Sequence, residues 1–220
     1  ILIILLISSK KELIKKKLND YEINNIKELS ITKNNWHKDT VIIFISIILL
    51  TTCLALNQVI LPLDFVKRGI FKDPLSQTIT SYIISAQLIL LFMLQWPIGN
   101  WLSTKERFFG IKFSLINFGI SAFLLFISNY FQTIGIYIML IAIIFSSIGA
   151  SSFLPTSSDI IFRIAPNNKK GLATALLSQC FAFGYLLGPL ISGRILDYYG
   201  STTRLWILIC IICFTLTIAL

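Results

Sequence analysis

The sequence predicts an all-α membrane protein built as a bundle of six transmembrane helices. Three observations carry that expectation. Apolar residues make up 55% of the 220-residue chain and charged residues only 13%, where a soluble domain carries about 25% charged residues. Five stretches stay apolar over the ~20 residues that a helix needs to cross a hydrocarbon core about 30 Å thick. The basic residues, 19 against 10 acidic, gather in the links between those stretches. A soluble globule of this size has no interior for so much apolar surface, and disordered or collagen-like chains have the opposite composition.

The elements follow in order. The chain opens on Ile1 rather than Met, in an apolar run that ends at Ile7. That run is too short to cross a membrane. With no basic region before it and no small-residue cleavage site after it, it does not read as a signal peptide. Residues 1–8 are therefore expected to be the tail of a preceding transmembrane helix, and the chain to be a fragment. Residues 9–40 form a Lys-rich loop. Residues 41–220 form the six-helix domain, with spans at about 41–61, 79–98, 109–128, 133–154, 172–192 and 205–220. The last is a little short and still apolar where the chain stops at Leu220.

The charges orient the bundle. Eight Lys lie between Lys10 and Asp39; Lys105, Arg107 and Lys112 link spans two and three; Arg163, Lys169 and Lys170 link spans four and five. These links fall on one side of an alternating bundle and hold 14 of the 19 basic residues. The other side has Lys67, Arg68, Lys72, Arg194 and Arg204. Short loops rich in Lys and Arg stay cytoplasmic, so span one runs outward and span six returns the C-terminus inside. The net charge of +9 is then a topology signal. No basic groove with interleaved aromatics accompanies it, so no nucleic-acid partner is expected. The expected partner surface is the lipid bilayer. Lys10, Lys11, Lys15, Lys16 and Lys17 lie close to a span end, where each is worth ~1 kcal/mol against an anionic leaflet. Leu18, Tyr21, Ile26 and Leu29 are spaced loosely as on a helix. A surface helix and a solvated tether are equally compatible with that loop.

No Asp, Glu, Lys, Arg or His lies in the middle of a span. Ionisable groups at that depth mark proton relays and ion paths, so if transport is coupled to protons the coupling acid is expected in the missing part of the protein. His37 is the only His and sits in a loop. Neither a Ser–His pair nor a His-based metal cluster can form in the bilayer, which argues against an enzyme. No cofactor or metal is expected. Cys53, Cys180, Cys210 and Cys213 all lie in spans. Cys210 and Cys213 have the spacing of a redox or zinc pair, but on an apolar helix with no second pair they read as packing residues.

Amides are more informative. Span one carries Asn57 and Gln58, with Thr51, Leu54 and Gln58 on one stripe. Span two carries Gln87 and Gln95, span three Asn117, span four Ser146, Ser147, Ser151 and Ser152, and span five Ser178 and Gln179. A carboxamide facing lipid leaves up to four hydrogen-bond sites unmet. Taken singly, each reads as interhelical glue worth ~0.6 kcal/mol, and Asn117 is left there. Taken as a set over spans one, two, four and five, they predict a shared polar cavity for a small-molecule solute. The candidates for its lining are Asn57, Gln58, Gln87 and Gln179. Span five also carries Gly184, Gly188, Pro189 and Gly193. The glycines allow a neighbouring backbone close, and Pro189 removes a backbone donor, leaving a compliant point. Pro97 and Gly99 are expected to end span two.

In this order, a span stub, a long Lys-rich loop and six spans, the whole chain resembles the end of helix six, the central loop and helices seven to twelve of the major facilitator superfamily. Asn100-Trp101-Leu102-Ser103-Thr104-Lys105 resembles that family's Gly-x-Leu-Ala-Asp-Arg cytoplasmic signature. Asn100 stands for the glycine, Thr104 for the acid and Lys105 for the arginine. Gly184-xxx-Gly188-Pro189-xx-Ser192-Gly193 resembles the Gly-xxx-Gly-Pro-xx-Gly-Gly pattern of exporter helix five. Helix eleven is the counterpart of that helix in the second half.

The resemblance implies a secondary transporter working by alternating access, with proton-coupled efflux as one form. Spans one, two, four and five would line the cavity and its gates, with spans three and six outside. The missing N-terminal six-helix half would be a partner. The alternatives are a non-transporting membrane adaptor, and a membrane-embedded enzyme whose chemistry lies in missing N-terminal residues. Ile outnumbers Val by 41 to 3, a bias that fits an AT-rich genome and a bacterial inner (plasma) membrane.

Overall fold

The structure, a computed structural model, describes residues 41–62, 76–106, 108–131, 134–165, 170–199 and 202–220; every regular element among them is an α-helix. The expected stub at 1–8, the loop at 9–40 with His37, and Lys67, Arg68, Lys72, Arg107, Lys169 and Gly200 lie outside these residues. The helices are α1 Val41–Pro62, α2 Gln77–Ser103, α3 Phe109–Ser128, α4 Gly135–Ile164, α5 Lys170–Tyr199 and α6 Thr203–Ala219. The first five are long and apolar enough to cross a membrane; α6, at 17 residues, is shorter.

The core lies around α1, α3 and α4. In α1 the buried residues Ile43, Ile47, Leu50, Leu54, Asn57 and Leu61 recur every three or four positions, which makes one continuous buried stripe. α3 packs most extensively on α4 and then on α6, while α2 leans on α4. The α3–α4 seam is built from small residues. The Ser114 hydroxyl donates to the Gly149 carbonyl at 2.8 Å and pairs with Ser152 Oγ at 2.8 Å; Ser121 donates to the Ala142 carbonyl at 2.8 Å. A Cβ added to Gly149 would meet the Phe118 ring at 3.0 Å, and one added to Gly110 would run into Thr156. Hydrogen bonding and close backbone approach replace the hydrophobic drive that lipid does not supply. Several other hydroxyls turn back on their own helix: Thr51 to the Ile47 carbonyl, Ser147 to the Ile143 carbonyl and Thr156 to the Ser152 carbonyl. This satisfies them without a partner helix.

Three helices overrun their predicted ends. α2 continues through Pro97 and Gly99 to Ser103, so those residues do not terminate it. Pro97 costs one local hydrogen bond, whereas unwinding would expose a whole turn of backbone polar groups at membrane depth. α4 extends to Ile164, and Asp159 and Arg163, expected beyond the span, form a 2.8 Å ion pair on its last turns. α5 runs to Tyr199 and takes in Asp197. The apolar stretches end before these helices do, so apolar composition alone does not mark the helix ends.

The ends are held locally. Ser76 precedes α2 and its hydroxyl accepts from the Ile79 amide at 3.3 Å, satisfying one orphan donor of the first turn. At the far end Ser103 donates to the Asn100 carbonyl at 2.7 Å and Thr104 to the Trp101 carbonyl at 2.8 Å.

Candidate functional site

The polar residues of the spans fall into two junctions and a remainder. The first junction joins α1 to α5. A Cβ added to Gly184 would lie 2.5 Å from Thr51 Cβ and 2.9 Å from the Ile48 carbonyl oxygen. One turn further along, a Cβ on Gly188 would lie 3.0 Å from Ala55 Cβ. At Gly184 only glycine permits this approach, at Gly188 a Cβ would force its neighbours to give by a few tenths of an ångström, and both contacts run in step along helices that point the same way. Beside the seam the Tyr185 hydroxyl donates to Gln58 Oε1 at 3.4 Å, on the exposed side of the pair. Pro189 has no amide to give the Tyr185 carbonyl, four residues earlier, so Tyr185 also holds the acceptor freed at this point of α5. Ser192 is buried and donates to the Gly188 carbonyl at 2.7 Å. Gly193 is not part of the contact: a Cβ there meets nothing within 4 Å.

The second junction joins α2 to α4. Gln87 Nε2 donates to Ser146 Oγ at 3.2 Å, and Ser146 in turn donates to the Ile143 carbonyl at 3.0 Å. This is the one polar link recorded between α2 and α4 among the described residues. α2 buries only Thr80 and Leu102. Its outward face presents Tyr82, Phe92, Met93 and Trp96, Trp96 being 81% exposed.

The remaining candidates separate. Gln179 lies on the exposed face of α5. Asn57 does not join Gln58 on an open face: it is 5% exposed, and its Nδ2 donates to the Cys53 carbonyl of its own helix at 2.9 Å. A step of one residue turns a helix by about 100°, which carries Asn57 from the open side into the packed side. Asn117, expected to bridge helices, donates to the Phe113 carbonyl of its own helix at 2.7 Å. Ser152 is drawn into the α3–α4 seam rather than toward a cavity.

At the link after α2, Asn100 is still helical, Thr104 caps the helix and Lys105 follows it. Lys105 Nζ sits 5.5 Å from the centroid of the Trp101 ring, which also packs edge-on against Phe109 and Phe113. With Thr104 where an acid is expected, the cation rests on an aromatic face instead. Tyr185 is the residue that sequence reasoning missed. The signal was a phenol in mid-span beside a glycine, since a buried or lipid-depth hydroxyl needs a partner.

Comparison with known proteins places the chain among transport proteins. A family model described as Major Facilitator Superfamily matches residues 41–220. The riboflavin transporter RibZ of Clostridioides difficile is 29% identical over 133 residues, 59% of this chain and 27% of that protein. The multidrug resistance protein MdtG of Escherichia fergusonii is 26% identical over 187 residues, 84% of this chain and 44% of its own length. MdtG of Salmonella arizonae is 39% identical over 67 residues, 30% of this chain and 17% of its length. The chain thus spans less than half the length of these curated relatives. No solved structure gives a significant match.

Proposed function

The chain belongs to the Major Facilitator Superfamily, and on that premise we propose that it is the C-terminal half of a secondary transporter that moves a small neutral or amphipathic solute by alternating access. It is an integral multi-pass membrane protein, and the plasma membrane of a bacterium is the proposed location. An N-terminal six-helix half is the proposed partner, and the two would rock about a site near the midplane. Residues 9–40 would serve as the cytoplasmic connection between them, and 1–8 as the end of the sixth helix.

The observation that carries this reading is the chemistry of the two junctions. Tyr185 with Gln58, and Gln87 with Ser146, place neutral donors and acceptors on α1, α2, α4 and α5. Such groups orient a solute by hydrogen bonds and leave it free to depart, because no fixed charge holds it. Gln179 is proposed as a further contact, and Gly184, Gly188 and Pro189 as the compliant part of a gating helix. Efflux is the proposed direction, in line with the two relatives named for multidrug resistance. With no acid in the middle of these spans, a coupling proton would be carried by the N-terminal helices.

The test is transport by the complete protein in proteoliposomes with Gln87 and Gln179 replaced by Leu. Loss of uptake with retained assembly is expected. Unchanged transport would remove both residues from the site.

A further inference from the structure

One corner of the bundle carries rings and cations that solute transport does not use. Trp101, on the last turn of α2, packs edge-on against two rings of α3, with centroids 5.5 Å from Phe109 and 5.3 Å from Phe113. Phe109 and Phe113 stack at 6.1 Å. The three rings form one patch across the α2–α3 link. It is open on one side, with Trp101 43% and Phe109 37% exposed. Tryptophan at the end of a span favours the depth where lipid headgroups meet hydrocarbon.

Two cations border this patch. Lys105 Nζ is 5.5 Å from the Trp101 centroid, close enough for the ring to attract it. The ring occupies one side of the ammonium and leaves donors free on the other. Lys112 is half-buried in the first turn of α3, three residues after Phe109 and one before Phe113. Side chains lean toward the N-terminus of their helix. In α3 that end is the link itself, so Lys112 leans toward the headgroups, and its flexible stem carries the charge there. Neither Lys is in an ion pair; the pair among the described residues is Asp159 with Arg163. Beneath the cations the open stripe continues through Ile116, also 37% exposed. From Phe109 to Ile116 it covers about 10 Å at about 1.5 Å per residue, within a leaflet about 15 Å deep. The opposite face of α3, with Ser114, Leu115 and Phe118, is buried in the bundle.

We propose that the α2–α3 corner binds one acidic phospholipid of the cytoplasmic leaflet. Its phosphate oxygens accept from Lys105 and Lys112, and one acyl chain lies along Phe109, Phe113 and Ile116. A zwitterionic lipid fits less well, because its own ammonium would meet those of the two Lys. The site rests on the membrane orientation of the chain and is independent of the solute, so its failure would leave the transport proposal standing.

The test is mass spectrometry of the complete protein released from micelles that hold phosphatidylglycerol and phosphatidylcholine in equal amounts. The first lipid retained is expected to be phosphatidylglycerol. Each Lys beside an anionic headgroup is worth about fivefold in binding, so Lys105→Gln/Lys112→Gln is expected to lower the preference about 25-fold. Trp101→Leu, which keeps both cations, should lower it several-fold. Lys15→Gln/Lys16→Gln, expected on the same side but outside the corner, should leave the first lipid in place, and so should excess inorganic phosphate. Equal retention of the two lipids by the parent would overturn the proposal. So would a preference that survives Lys105→Gln/Lys112→Gln or Trp101→Leu, or one lost equally in Lys15→Gln/Lys16→Gln, which would mean diffuse attraction. Displacement by inorganic phosphate would make this a site for the anion alone and overturn the lipid. Should Trp101→Leu fail to fold, the exposed Lys105 and its partner Lys112 decide.

Discussion

Gly188 of α5 rests against Ala55 of α1, close enough that a Cβ on the glycine would lie 3.0 Å from Ala55 Cβ and 3.4 Å from the Thr52 carbonyl oxygen. The neighbour on that side is backbone and a methyl group, neither of which can swing away. Gly188→Val therefore has to push the helices apart. The expected loss is about 1–3 kcal/mol, the usual cost of overpacking, read as a lower unfolding midpoint in mild detergent. Gly193→Ala is the control: it meets nothing within 4 Å and is expected to be neutral or slightly stabilising, by up to about 1 kcal/mol from helix propensity. Equal losses from both substitutions would show that the seam is not the reason for Gly188.

The α3–α4 seam makes a separate prediction. Ser114 reaches two partners on α4, the Gly149 carbonyl and Ser152 Oγ. Ser114→Ala and Ser152→Ala are each expected to cost about 0.6 kcal/mol and no more than about 1.7 kcal/mol, the average and the maximum found for hydrogen bonds between membrane helices. Because they share a bond, the double variant should lose less than the sum. Strict additivity in the same unfolding measurement would mean that the hydroxyls act independently.

How far the sequence reached depended on the scale of the question. Helix positions could be read from hydropathy, because lipid imposes one length and one polarity on every crossing helix, and α3 runs over Phe109–Ser128. The ends of α2, α4 and α5 did not follow, because a helix can outlast the apolar segment when a pair such as Asp159 and Arg163 supports its last turns. For the candidate site, residue types were legible and the helix faces they occupy were not. Asn57 and Gln58 are neighbours with the same chemistry, yet one packs inward and the other meets Tyr185. The hydropathy of α1 is high on nearly every side, so no polar face marked the difference. The serines of α4 posed the same problem: Ser146 answers Gln87 and Ser152 answers Ser114, and only the packing partners distinguish them.

The charge pattern predicts a testable topology. Lys105 should lie on the cytoplasmic side and the turn after α3, at Asn129 and Tyr130, on the outer side. In a background with Cys53, Cys180, Cys210 and Cys213 replaced by Ser or Ala, Ser103→Cys should react with an impermeant maleimide only from the cytoplasmic face. Asn129→Cys should react only from outside. The reverse labelling would invert the bundle, and labelling of both from one face would break the alternation of α2 and α3.

The contact between Tyr185 and Gln58 separates stability from function. At 3.4 Å the bond is long for an O–H donor, whose usual distance is about 2.7–2.8 Å, and it lies on the exposed side of the helix pair. Tyr185→Phe should therefore change stability by no more than about 0.5 kcal/mol, as for most exposed positions. If Tyr185 and Gln58 face the solute, the same variant should slow transport by the complete protein several-fold, with an equal effect from Gln58→Leu and little further loss when the two are combined. That non-additivity is the mark of two groups acting on one ligand. Transport assays on the single and double variants, at matched amounts of folded protein, decide between this and a purely structural contact. A structural contact would leave the transport rate per folded molecule unchanged in all three.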